Sequence, residues 1–253
     1  MASAVILWLI FQTDILNYCL KLRFDIFCDR WACRCATPYE TRQRLLDAAG
    51  EVFAERGFRA ATVRDICQRA QANIAAVNYH FGDKERLYTA VLQYAFGSAL
   101  ERYPPLLDLD GGASAEQRLR AFIRSFMLRC LGEGSPAWLG KLMAREMAEP
   151  TRALDILIQE AFRPLFALLT SIVAELLGPQ AEAARVRLCA DSILGQCLHY
   201  RHAQPVFVRF DPGVTFDVAQ IERWADHIAE FSLAALRQFA RPSTGGESCT
   251  SSR

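Results

Sequence analysis

Residues 73–81 read NIAAVNYHF, and the reading of the N-terminal half turns on how this nonapeptide is framed. Asn73 is a helix-capping residue type, because its side-chain oxygen can accept a free backbone N–H of the first turn. Ile74, Val77 and Phe81 recur at helical spacing and are assigned to an inner face. Asn73, Ala75, Ala76, Asn78, Tyr79 and His80 then fall on the outer face. Gly82-Asp83 closes this helix and opens another, in which Leu87, Val91, Leu92 and Ala95 point inward. Upstream, Thr62 can cap a helix with Val63, Ile66, Cys67 and Ala70 on one side, and a break at Gln71-Ala72 separates the two. Earlier still, Leu45, Ala49, Val52 and Phe53 form a stripe that Gly57 stops. Three short helices within 41–81, the last two joined by a turn of a few residues, make a helix-turn-helix.

The outer face of 73–81 carries the chemistry of a DNA major groove. A helix is narrow enough to enter that groove. Small Ala75 and Ala76 let its backbone approach the bases and touch thymine methyls, and Asn78 can pair twice with adenine. Tyr79 and His80 can donate to phosphates at the helix end. Arg64 can reach a phosphate or a guanine edge, and Arg42 the backbone. Thr62 offers a hydroxyl to the opposite groove wall. Lys84 and the free amides at the start of the fourth helix both favour an anion. Between Arg56 and His80 stand four Arg and one acid, Asp65.

That patch has to be local. Of 253 residues, 29 are Lys or Arg and 28 are Asp or Glu, so the net charge of +1 excludes a global basic field. Hydrophobic residues at 52% exclude wholesale disorder. Nine cysteines, an odd and scattered set, fit reduced thiols in the cytoplasm better than a disulfide framework. G-x-S-x-G, H-E-x-x-H and a phosphate-binding Gly loop are all missing, and no His or Cys stands in a nucleophile context, so no enzyme is expected. No cofactor is expected either.

The stretch from Thr41 to Ala95, with A-E-R-G-F, T-V-R-D-I and Y-H-F-G-D-K-E, closely resembles the DNA-binding domain of the TetR family of bacterial transcription regulators. The resemblance implies an all-α fold. It implies an N-terminal DNA-binding domain at 38–98 and a larger effector-binding and dimerisation domain at 114–240. It also implies a homodimer that binds double-stranded operator DNA and is released by a small-molecule effector. Arg64, Ala76, Asn78, Tyr79, His80 and Lys84 match positions that commonly contact the operator. Two residues depart from the family pattern. Gln71 stands where the turn usually has Gly, at a cost if the backbone there needs positive φ. Asn78 stands where an aromatic phosphate contact is frequent. The segments REMAEPTRALDIL and SILGQCLHYRHAQPVF resemble a subgroup of the same family.

Beyond the acidic, Pro- and Gly-rich linker after Tyr103, helices are expected at 115–131, 136–149, 152–177, 182–202 and 217–240. Phe122, Phe126, Trp138, Met143, Met147, Phe162 and Phe166 are candidates for an effector pocket, against the plainer reading as core. Arg145 and Glu146 are more often a solvated pair. Val186, Ala190, Ile193 and Cys197 in one helix, and Ile221, Trp224, Ile228, Phe231 and Ala235 in the last, form two long apolar stripes. These are assigned to a dimer interface rather than to packing within one chain. Cys197, His199 and His202 are weighed as a metal site and set aside, because Cys197 is poorly placed and no carboxylate adjoins them.

The ends are read separately. Val5 to Phe11, VILWLIF, is too short to span a bilayer, which needs about 20 apolar residues. No membrane partner is expected. Residues 1–36 are taken as an accessory or mis-assigned N-terminal extension, and 241–253 as a disordered tail. The alternative to a DNA-binding repressor is a helical protein that dimerises without sequence-specific DNA binding.

Overall fold

The computed structural model describes residues 37–107, 109–132 and 136–240. The expected extension and tail lie outside the described residues. Cys67, Cys130, Cys189 and Cys197 are free thiols.

Among the described residues there are only helices, as the all-α reading requires. The first four are α1 (Pro38–Ala60), α2 (Val63–Ala70), α3 (Ile74–Phe81) and α4 (Lys84–Arg102). After the linker come α5 (Ala115–Leu131), α6 (Leu139–Ala148), α7 (Arg152–Leu157), a π turn (Ile158–Phe162) and α8 (Arg163–Leu177). The chain ends with α9 (Ala183–His202), α10 (Gln204–Phe210) and α11 (Val218–Ala240). Gly57 interrupts α1 at φ 79°, but one more turn follows it to Ala60. The stop read at Gly57 is therefore a kink. Helix α10 was not expected, because Pro205 and Gly213 read as breakers. Pro205 lies in the first turn, where its missing N–H removes no helical bond.

Helices α7 and α8 run on through the π turn, where Arg163 N–H donates to Ile158 C=O. Pro164 supplies the reason. It has no N–H for the carbonyl four residues back, and its ring crowds that carbonyl, so one widened turn just upstream accommodates it. By length and composition the 152–177 run is apolar enough to cross a membrane. Its inward residues are nonetheless enclosed in the two cores of this chain.

The first core joins Leu45, Phe53, Ile66, Val77 and Leu87 of α1 to α4 with Leu142 of α6 and Ala153 and Leu157 of α7. The second joins Phe122 and Met127 of α5, Ile172 of α8, Ile193 of α9 and Ile228 of α11. Thus α6 and α7, which follow the linker in sequence, pack on the helix-turn-helix. Burial of each Leu or Phe side chain here is worth about 1.5–3 kcal/mol before ordering entropy.

Candidate nucleic-acid interface

Local chemistry fixes the angle between α2 and α3. Thr62 caps α2 through a reciprocal box: Asp65 N–H donates to Thr62 Oγ1 at 3.2 Å, and Thr62 N–H donates to Asp65 Oδ2 at 3.2 Å. The Thr62 hydroxyl also donates to Asp65 Oδ2 at 2.7 Å. These bonds, with Arg56 2.7 Å away, hold the Asp65 carboxyl below its usual range. Gln71 ends α2 in the left-handed region, φ 50° and ψ 45°, so the turn does take the glycine conformation without a glycine. Asn73 starts α3, its Oδ1 accepting Ala75 N–H at 3.0 Å.

Helix α3 is held from behind by Val77 and Phe81, both buried, while Ala75, Asn78 and Tyr79 stand exposed. Tyr79 is 80% exposed. Its ring meets His80 edge-on at 4.8 Å, and His80 and Ala76 are half-buried at the flank. Ile74 does not join the inner face to which its spacing assigned it; it is 50% exposed at the first position of the helix. Arg42 lies with its guanidinium 5.3 Å from the Phe81 ring, which brings the start of α1 beside the end of α3. Arg64 is exposed, with no ion pair among the described residues.

The basic patch is thinner than the sequence count. Arg56 pairs with Asp65, and Arg69 pairs with Glu55 at 2.9 Å and Glu51 at 3.4 Å. Only Arg59 and Arg64 of the four remain uncommitted. Lys84, expected to face an anion, donates instead to Ala61 C=O at 2.7 Å and Arg59 C=O at 3.3 Å. Its ammonium also sits 4.7 Å from the Phe58 ring. It is a strut between the start of α4 and the end of α1.

Arg145 and Glu146 are not a solvated pair. Arg145 donates from Nε to Ala54 C=O and from Nη2 to Glu55 C=O, both at 2.9 Å. Glu146 is buried. It accepts from Tyr88 Oη at 2.5 Å, and from Thr151 N–H at 2.7 Å and its hydroxyl at 2.9 Å. Burial first, and the Glu146 carboxylate second, push the Tyr88 hydroxyl up from its ordinary value. Adjacent residues thus bolt α6 to α1 and α4. Trp138, just ahead of α6, lies against the Gly50 backbone. No local sequence signal announces these partners.

The seven pocket candidates do not line one cavity. Trp138, Met143 and Phe162 pack on the first core, Phe122, Phe126 and Phe166 belong to the second, and Met147 is exposed. A groove of about 490 Å³ opens instead between α8 and α9, lined by small residues such as Ala167, Thr170, Ala174 and Ala181.

The dimer stripes need the same correction. Ala190, Ile193, Cys197, Ile221 and Ile228 are buried inside this chain, so they cannot touch a second copy. Val186, Trp224 and Ala235 are half-buried, and Phe231 is exposed. The exposed faces beside these stripes are mixed: Leu188, Ser192, Gly195 and His199 on α9, and His227, Phe231 and Ala234 on α11, of which Leu188 and Phe231 are the large apolar side chains. His199 and His202 belong to no group of three or more metal-ligating side chains among the described residues.

A capped helix-turn-helix with its second helix uncovered, carried on a larger helical body, is the architecture of a helix-turn-helix DNA-binding regulator. Residues 45–91 match the family model for bacterial regulatory proteins of the tetR family. Residues 115–236 match the model for the C-terminal domain of the HTH-type transcriptional dual regulator CecR. The chain belongs to the TetR family of bacterial transcriptional regulators. It is 30% identical over 191 residues to the dual regulator CecR of Shigella flexneri, covering 72% of this chain and 85% of that one. It is 34% identical over 90 residues to the transcriptional repressor NicS of Pseudomonas putida, 35% of this chain and 42% of that one. The fold also matches the crystal structure of AibR in complex with isovaleryl coenzyme A and operator DNA, at TM-score 0.57 and 20% identity over 76% of this chain and 97% of that one. CecR and NicS are both transcriptional regulators.

Proposed function

We propose that this regulator is a ligand-responsive repressor, acting in the cytoplasm, that binds a palindromic operator as a homodimer and leaves it when a small effector binds. The observation that supports this most is the uncovered outer row of α3, Ala75, Asn78 and Tyr79, with Arg64 exposed and without an ion pair among the described residues, and Arg42 exposed over the Phe81 ring at the end of α3. Asn73 and Thr62 are engaged as caps, and both are exposed. A contiguous polar row backed by a fixed core suits a groove, where base contacts specify and phosphate contacts position. Two copies would present two such rows about 34–36 Å apart, or a multiple of that, along a palindrome.

The homodimer reading rests on the exposed faces of α9 and α11, with Leu188, Gly195, Phe231 and Ala234 at its centre in place of the buried stripe. The effector reading rests on the second core, where Phe122, Phe126 and Phe166 cluster. A small, mostly apolar molecule there would separate α5 from α9. The Arg201 guanidinium fills the space over Gly140, the second residue of α6, so α9 can push α6. Through Arg145 and Glu146 that push reaches α1 and α4. A coupling of about 1–3 kcal/mol changes operator affinity about 5–150-fold. AibR, with its acyl-CoA, is one instance of an apolar acyl group held in this fold. Gel shift against the chain's own upstream DNA, repeated with a panel of candidate effectors, tests the reading. Tight, sequence-selective complexes released by one compound class support it. Their absence at all salt concentrations leaves the helical protein that only dimerises.

A further inference from the structure

The outer surface of α3 holds neither Arg nor Lys, the side chains that most often read guanine. Its exposed residues are Asn73, Ile74, Ala75, Asn78 and Tyr79. Asn73 uses its Oδ1 on the Ala75 N–H. Two kinds of chemistry remain for base edges. Asn78 offers an amide that matches adenine N6 and N7, and Ile74 and Ala75 offer apolar surface that matches the thymine methyl.

Ile74 is the informative residue. It occupies the first position of α3, the end from which a recognition helix contacts base edges. Val77 and Phe81, one and two turns on, are buried, yet Ile74 is 50% exposed. A β-branched apolar side chain left half in water at the tip of an uncovered helix gains by covering another apolar group. In the major groove the apolar group on offer is the 5-methyl of thymine.

We infer that Ile74 is a specificity-determining residue that covers a thymine methyl in each operator half-site, so that α3 reads A·T pairs. This rests on the DNA-binding reading above and deepens it. Guanine, where the operator has it, falls to Arg64 on α2.

The test uses the full chain. Preferred duplexes are selected from a random pool. Each thymine of the selected site is then replaced by deoxyuridine, which removes only the methyl, and binding is compared between the natural protein and Ile74→Ala. The expected selected site carries A·T pairs under α3. At one thymine per half-site the uridine change weakens the natural protein about fourfold, the worth of one buried methyl, and leaves Ile74→Ala unchanged. Ile74→Ala keeps its melting temperature, because the residue is half exposed. A selected site with no thymine under α3 overturns the inference and leaves DNA binding standing. So do uridine changes that weaken both proteins equally. A pool that yields no preferred sequence overturns the DNA-binding reading, and this inference with it.

Discussion

The Tyr88 hydroxyl donates to Glu146 Oε2 at 2.5 Å, joining residues 58 apart in sequence. Tyr88 belongs to α4, which carries the helix-turn-helix, and Glu146 to α6, which follows the linker. Glu146 Oε1 is engaged too, by the Thr151 N–H and hydroxyl that open α7. One buried carboxylate therefore ties three helices, and its neighbour Arg145 ties α6 to α1. In the proposed effector response, a displacement of α6 is carried to α1 and α4 through these bonds.

Replacing Tyr88 by Phe removes the donor and leaves Glu146 Oε2 buried without it. The expected loss is about 1–3 kcal/mol, read as a lower midpoint in urea unfolding. The pH dependence has a definite sign. The folded state raises the Tyr88 hydroxyl above its ordinary value of about 10, so the stability it brings is complete below that pH. It is lost as pH rises above about 10, where the unfolded chain ionises first, at about 1.4 kcal/mol per pH unit. Tyr88→Phe should show less of that alkaline decline than the natural chain; an identical decline would mean that Tyr88 titrates normally.

Gly50 is buried in α1, and a Cβ there would lie 2.2 Å from Trp138 Cε2. An indole ring cannot give way as the end of a flexible chain can. Gly50→Ala is expected to destabilise by about 1–3 kcal/mol, the usual range for overpacking, and to lift α6 from α1. Thermal melting measures the first effect. The second is read as a smaller effector-induced change in operator affinity.

Lys84→Ala is expected to act twice. Removing the ammonium frees the Ala61 and Arg59 carbonyls, at about 1.5–3 kcal/mol for a charged hydrogen bond. It also removes a positive charge near the groove, which weakens binding to all sequences alike. Melting and affinity should both fall; a change in affinity alone would mean that the strut carries no stability.

Gln71 holds φ 50°, where a side chain crowds the backbone at a cost of roughly 1–2 kcal/mol. Gln71→Gly should raise stability by several tenths to about 1 kcal/mol, the relief being partly offset by the greater freedom of the unfolded chain. Gln71→Val should lower it. Urea unfolding of the two variants checks the order.

Residues that act on near neighbours were legible in the sequence. Thr62 and Asn73 announce two helix starts because a cap and its target lie within three residues; the reciprocal bond from Asp65 to Thr62 was added by the structure. Gln71 in a glycine place announced a strained turn. Partners distant in sequence left no such mark. Arg145 and Glu146 read as a solvated pair because Ala54 and Tyr88 lie far along the chain. The stripe through Ile193 and Cys197 showed that one face of α9 is apolar. Periodicity cannot say whether its cover is a twin or helices of the same chain, and here it is α5, α8 and α11. Ile74 shares the spacing of Val77, but at the first turn of an eight-residue helix it stays 50% exposed. Pro205 read as a breaker because a single residue does not show whether a helix starts or stops there.

Contact between duplex DNA and α3 with its flanking cations is tested most directly by fluorescence anisotropy with the chain's upstream DNA across a salt series. The expected result is selective binding over a scrambled duplex, with log affinity falling linearly against log salt. The slope should shrink by about 1 for each phosphate contact removed, as with Arg42→Ala, and Asn78→Ala should relax preference at one base pair. Equal affinity for the scrambled duplex, or a slope and selectivity unmoved by both changes, would contradict it.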